Sequence, residues 1–288
     1  VLKIHGQVII MKISEIMTEN VQAGSVPGTV SSIYEILREE KLSGVPIVKK
    51  HTGELAGVIT RSDLIKNPDE DQVAMIMSRN PITAAPDEDV NSVARKMINN
   101  NIRRVPITVD NKLVGIVTSA DITNKALWKI NNTEPVEKYM VRNVPTVWDK
   151  TPLPIAYSIT NFFNFKSVIS LNDDGKASGI LTETDFINES RVVEEQTIHN
   201  SSVSTEGDKW TWNSQSVMYI LKNRLQFSDK IVKDVAGDKL VSVTRKTSVK
   251  ECANILRQYN IEQVPVLNMA DEPIGLVRSS DLMRAMIQ

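Results

Sequence analysis

Four carboxylates recur three residues beyond a polar side chain at the end of a β-branched run. They are Asp63 after Thr60 in "GVITRSDLI", Asp121 after Thr118 in "GIVTSADIT", Asp185 after Thr182 in "GILTETDFI", and Asp281 after Arg278 in "GLVRSSDLM". Thr with Asp three residues later makes a capping box, each side chain satisfying an unpaired N–H at a helix start. The same atoms suit a second chemistry. A carboxylate can accept hydrogen bonds from both vicinal hydroxyls of a ribose, which an amide cannot. The Thr hydroxyl and the free N–H groups of a helix start suit phosphate. Arg278 replaces the fourth Thr; it gives up the capping hydroxyl and gains a bidentate phosphate donor. Upstream, "RRVP" places Arg103 and Arg104 side by side. They are either a solvated helix end or a phosphate contact. The histidines, His5, His51 and His199, are scattered, and no nucleophile with its base and no phosphate-cradling glycine loop is present. The chain is read as non-enzymatic.

The four motifs close a longer repeat. Measured from Met17, Met77, Met140 and Ala236, a second marker (Pro46, Pro106, Ile169, Pro265) follows at 29 residues each time. The closing Asp follows at 46, 44, 45 and 45 residues. "SSIYEILREE" and "NSVARKMINN" carry helical apolar spacing, whereas "GVPIV" and "LAGVIT" are short β-branched runs bounded by turn residues. Each unit therefore reads strand–helix–strand–strand–helix, in an α+β or α/β fold. A unit of roughly 50–60 residues buries too little core alone, so units are expected to pair. Cys252 falls in register with Ile33, Val93 and Ala156, apolar helix positions, and reads as a small core residue.

Apolar-V-P-apolar followed by G-h-h-T-x-x-D-h-h, in tandem, resembles the cystathionine-β-synthase (CBS) domain, over nearly the whole chain. Two units side by side resemble a Bateman module, and four resemble the disc of AMP-activated kinase gamma subunits and archaeal four-CBS proteins. The resemblance implies four tandem units in two modules: 11–70, 71–130, 131–190 and 230–288, after an extension at 1–10. It implies that Thr60, Asp63, Thr118, Asp121, Thr182, Asp185, Arg278 and Asp281, with Arg103 and Arg104 at basic positions, hold AMP, ADP or ATP in clefts between paired units. Strand ends such as "PITAAP" (81–86) are expected to serve adenine. The third unit lacks the proline and the fourth has Glu262 where a basic residue is expected, so the first module, residues 14–130, reads as the more competent. S-adenosylmethionine or a thioadenosine is the alternative ligand, and a ligand-free interaction scaffold is the alternative of another class. No covalent cofactor or metal is implied. A homodimer or a regulated protein target is the implied partner.

Composition agrees with a regulatory globular chain of 288 residues. Lys plus Arg number 34 against 35 for Asp plus Glu, so neither DNA nor an anionic membrane is expected. The single cysteine forms no internal disulfide, which fits the cytoplasm. Residues 191–229 form an insertion. "SVSTEGDKWTW" (202–212) reads as a hairpin carrying Trp210 and Trp212, and "SVMYILKNRLQF" (216–227) reads as a helix. The tryptophans are expected either to pack back as a lid or to anchor a partner or second chain.

Overall fold

The computed structural model describes residues 2–4, 7–9, 11–67, 69–202, 215–237 and 240–287. A short antiparallel pair, β1 (Leu2–Ile4) and β2 (Gln7–Ile9), precedes the repeats. Unit 1 contains β3 (Gly24–Val26), α1 (Val30–Glu39), β4 (Gly44–Lys49), β5 (Leu55–Thr60) and α2 (Arg61–Lys66). Unit 2 opens with α3 (Val73–Ile76) and β6 (Ser78–Arg79), then α4 (Val90–Asn99), β7 (Arg104–Val109), β8 (Lys112–Thr118) and α5 (Ser119–Lys125). Unit 3 repeats the order with β9 (Thr146–Trp148), α6 (Leu153–Phe162), β10 (Ser167–Leu171), β11 (Ala177–Thr182) and α7 (Glu183–Asn188). After β12 (Ser190–Ser202) and β13 (Gln215–Phe227), unit 4 supplies α8 (Val232–Val235), β14 (Val243–Thr244), α9 (Val249–Tyr259), β15 (Gln263–Leu267), β16 (Pro273–Arg278) and α10 (Ser279–Leu282). The long helices form where their apolar stripes are buried: Ile33 and Leu37 on α1, Val90, Val93, Ala94 and Met97 on α4, Val249, Cys252, Ala253 and Leu256 on α9. Cys252 is fully buried, and burial pushes its thiol up to about 12, so it is inert packing.

Neighbouring units are stitched together by their leading segments. The first residue of each long helix donates its N–H to the partner unit's lead: Val30 to Asp71 O (2.7 Å), Val90 to Met11 O (2.9 Å), Leu153 to Lys230 O (3.1 Å), Val249 to Glu134 O (2.8 Å). The lead then crosses under the partner's motif glycine. A Cβ on Gly57 would lie 2.8 Å from Ser78 O, one on Gly115 2.7 Å from Met17 Sδ, one on Gly179 2.6 Å from Ala236 Cβ, and one on Gly275 2.8 Å from Val141 O. The glycine that opens each motif is therefore the seat of the residue that opens the partner unit. Gly57→Ala is expected to lower unfolding free energy by about 1–3 kcal/mol, since backbone rather than a flexible tip blocks the added methyl. Urea denaturation checks this, and an unchanged midpoint would contradict the crossing.

The two modules meet through the short helices that end each unit. α5 packs on α9 and α10, and one continuous core joins units 2 and 4, including Val117, Ile122, Leu127, Leu256 and Leu282. Thr123 Oγ1 donates to Ser279 O at 3.3 Å across that seam. Units 1 and 3 meet where α2 lies against α7, each unit keeping a smaller core of its own. With pairs 1–2 and 3–4 closed by the leads, the four units form a ring.

The insertion corrects one expectation. Residues 216–227 are not helical: they lie in β13, antiparallel to β12 from Ser190↔Phe227 to Ser202↔Gln215. Val217, Tyr219, Leu221, Leu225 and Phe227 also fall at period two, so the segment fits both templates, and thirteen cross-strand pairs in β12 settle it. The hairpin expected at 202–212, with Trp210 and Trp212, lies almost wholly outside the described residues.

Candidate functional site

Each motif Asp does cap its helix, and it does so with one oxygen. Asp63 Oδ2 accepts Thr60 N–H (2.8 Å) and Oγ1–H (2.6 Å), and Asp121 Oδ2 accepts the same pair from Thr118 at 2.9 and 2.7 Å. Asp185 Oδ2 accepts them from Thr182 at 2.7 and 2.8 Å. The second oxygen distinguishes the units. Asp121 Oδ1 holds Lys125 at 2.9 Å. Asp281 is clamped by Arg278, whose Nε donates to Oδ2 at 2.7 Å and Nη2 to Oδ1 at 2.9 Å. Among the described residues, Asp63 Oδ1 and Asp185 Oδ1 have no protein partner. Burial raises the Asp185 carboxyl, against the lowering effect of its Thr182 hydrogen bonds. Capping and ligand binding are thus compatible at Asp63 and Asp185, and each needs a different oxygen.

Two cavities open where the units meet, both bordered by Arg103, Arg104 and Lys166. One, about 560 Å³, is lined by Thr60 and Asp63 of unit 1 together with Arg278 and Asp281 of unit 4. The other, about 730 Å³, is lined by Thr118 and Asp121 of unit 2 together with Thr182 and Asp185 of unit 3. Clefts of the first module are therefore not confined to residues 14–130; each cavity joins one cleft from each module. Pro81 and Ile82 of "PITAAP" line the smaller cavity.

Charge is concentrated where the units meet. Arg61, 2% exposed, reaches from α2 to the Thr184 hydroxyl and donates to Leu37 O at 3.4 Å; its Nε is buried without a partner. Ser62 Oγ donates to Glu183 on the same seam. Arg103 lies 3.7 Å from Glu262 and 4.0 Å from Glu183, which also faces Lys166 at 3.9 Å. Arg104 is no solvated helix end. Its guanidinium fills the space over Gly44, where a Cβ would sit 1.4 Å from Nη1; Nη2 donates to Ser43 Oγ at 2.8 Å. Nη1 is buried and unpaired, and burial with Arg103 alongside lowers the group to about 10. Burial, reinforced by Arg103, lowers Lys166 to about 8.

The family model described as "CBS domain" matches residues 13–70, 73–127, 136–191 and 232–288. The chain belongs to the CBS domain family. Protein MJ1225 of Methanocaldococcus jannaschii is 30% identical over 195 residues, 61% of this chain and 68% of that protein. The crystal structure of MJ1225, a proposed archaeal homolog of g-AMPK, superposes with a TM-score of 0.73 at 17% identity, covering 96% of this chain and 99% of that one, which shows the shared four-unit fold. Protein MK0525 of Methanopyrus kandleri is 38% identical over 120 residues, 39% of this chain; the match spans 61% of that protein's length. The CBS domain pair of protein MJ0100, crystallised with 5′-methylthioadenosine and S-adenosyl-L-methionine, matches 40% of this chain and 94% of that one at 36% identity, with a TM-score of 0.38.

In CBS terms, the structure gathers all ten residues expected from sequence around the two cavities, with Arg103 and Arg104 reaching both. It adds Arg61 and Glu183, and brings in Lys166 and Glu262, which share the register position of Arg103. A signal for Arg61 and Glu183 was present. The residue after the motif Thr or Arg is Arg61, Ser119, Glu183 and Ser279 in the four units, so opposite charges occupy one register position in the CBS units that meet through α2 and α7. No described helix is long and apolar enough to cross a membrane.

Proposed function

We propose that this CBS-domain protein is a non-catalytic regulator that binds adenine nucleotides, AMP, ADP or ATP, in the clefts of its four-unit ring. One observation carries the reading: Asp63 keeps an open carboxylate oxygen at the wall of a cavity whose other charged groups are six cations and one Arg-clamped Asp. An open carboxylate suits a ribose diol, and the cations suit the phosphates beyond it. Ligand seated there meets groups from both modules at once, so it favours whichever arrangement of the ion pairs around Glu183 it binds better. Calorimetry on the full chain with AMP, ADP, ATP, adenosine and GMP tests it. Heat with the adenine nucleotides and a weaker response to adenosine and GMP supports the reading; no heat with any leaves the scaffold.

Lys166 gives the binding a pH dependence. Its ammonium loses a proton as pH rises through about 8, while a nucleotide phosphate is already ionised above its second pKa of about 6. Affinity for AMP is therefore expected to fall between pH 7 and 9, and Lys166→Arg to flatten that fall. The sign for unliganded stability is opposite. Between about 8 and the unfolded value the unfolded chain holds the extra proton, so stability rises with pH through that window. Calorimetry and urea denaturation across pH 7–9.5 read the two trends; constant AMP affinity would remove Lys166 from the site.

A further inference from the structure

The two cavities differ in charge in a way the repeat itself does not require. The smaller is lined by Lys66, Arg103, Arg104, Lys166, Arg278 and Arg284 against only Asp63 and Asp281. The larger has five cations and five carboxylates, Glu40, Asp121, Glu183, Asp185 and Glu262. Arg103, Arg104 and Lys166 reach both. The carboxylates that face Arg103 and Lys166, Glu183 and Glu262, line the larger cavity and not the smaller. The difference is also visible in register. Beside Asp63 the smaller cavity receives residues 101–104 of unit 2, ending in two arginines; beside Asp185 the larger receives residues 260–263 of unit 4, where Glu262 stands at the position of Arg103. Both sides keep one open carboxylate oxygen, at Asp63 and at Asp185. The ribose acceptor is duplicated while the charge around the 5′ group goes from an excess of cations to a balance.

We propose that the two faces divide adenosyl ligands by the charge of the 5′ substituent: the Asp63 face takes a 5′-phosphorylated adenosine, and the Asp185 face takes an adenosine whose 5′ group carries no net negative charge, of the sulfonium class. This rests on the adenosyl reading above and deepens it. A phosphate on the Asp185 side meets as many carboxylates as cations, and a sulfonium on the Asp63 side meets six cations against two carboxylates, so each ligand is selected partly by rejection from the wrong face. One chain then reports two pools at once, coupled through Arg103 and Lys166, which border both cavities.

Calorimetry on the full chain with AMP and S-adenosylmethionine, each alone and each against a saturating amount of the other, tests the division. AMP is expected to bind with similar stoichiometry whether or not S-adenosylmethionine is present. Raising salt is expected to weaken AMP more than S-adenosylmethionine. Asp63→Asn should cut AMP affinity about tenfold and leave S-adenosylmethionine unchanged, and Asp185→Asn should do the reverse. Asn retains one acceptor oxygen for the helix cap, and each variant's undisturbed ligand shows that it has folded. Direct competition, or loss of both ligands in the same variant, overturns the division while leaving the adenosyl reading intact. Absence of binding by both overturns the two together.

Discussion

Asp63→Ala weakens binding of a phosphorylated adenosine by about tenfold or more, the largest ligand effect expected of any single motif carboxylate. A hydrogen bond to a charged group contributes ~1.5–3 kcal/mol, and each 1.4 kcal/mol is tenfold. Asp63 stands out because its Oδ1 is open and the cations of the smaller cavity surround it. Asp281→Ala, in the same cavity, is expected to do the opposite or nothing. It releases the Arg278 guanidinium now held at 2.7 and 2.9 Å and removes a carboxylate from the phosphate's surroundings. Both substitutions lose a cap, at about 1 kcal/mol. Comparing the two variants therefore cancels the structural cost and leaves the ligand term. Titration of AMP into each by calorimetry measures it, and equal losses in the two would show that the carboxylates act only as caps.

Arg61→Ala is expected to cost about 3 kcal/mol of unfolding free energy, the largest stability effect at the seam between units 1 and 3. The side chain is among the largest that are fully buried, and its guanidinium spans from Leu37 O to Thr184. Truncation empties that volume, strands the carbonyl and hydroxyl it served, and removes a cation beside Glu183. Arg61→Met refills much of the volume without the hydrogen bonds, so it is expected to recover part of the loss. Urea denaturation of the three proteins checks the order. If Met and Ala lose equally, packing of the stem contributes nothing; if neither loses stability, the seam is not held by this residue.

The sequence alone determined the unit, its fourfold copy and the residues at its centre. Those are local properties. A period change from 3.6 to 2 and a Thr-x-x-Asp cap are written into neighbouring residues, so they survive without knowledge of the rest of the chain. Cys252 was legible for the same reason, since its register in a helix is enough to bury it. The strand at 216–227 was not, because its apolar residues satisfy both periods and only pairing with β12 chose between them.

What tertiary structure decided was which equivalent positions face one another. The sequence places Arg104 at a basic position; the fold puts its guanidinium over Gly44, because that unit alone offers a space with no side chain in it. It identifies four motif carboxylates; the fold leaves two of them open, since Lys125 and Arg278 lie within reach of the other two. It orders four units along a line; closing them into a ring joins Asp63 with Arg278 and Asp121 with Asp185 in shared cavities, across 215 and 64 residues of chain. Charge at each cleft is a sum over groups brought together through space, and electrostatic energy depends on that distance rather than on separation along the chain. Repetition could therefore specify the ribose acceptor four times, while only the ring gave one cavity an excess of cations and the other a balance.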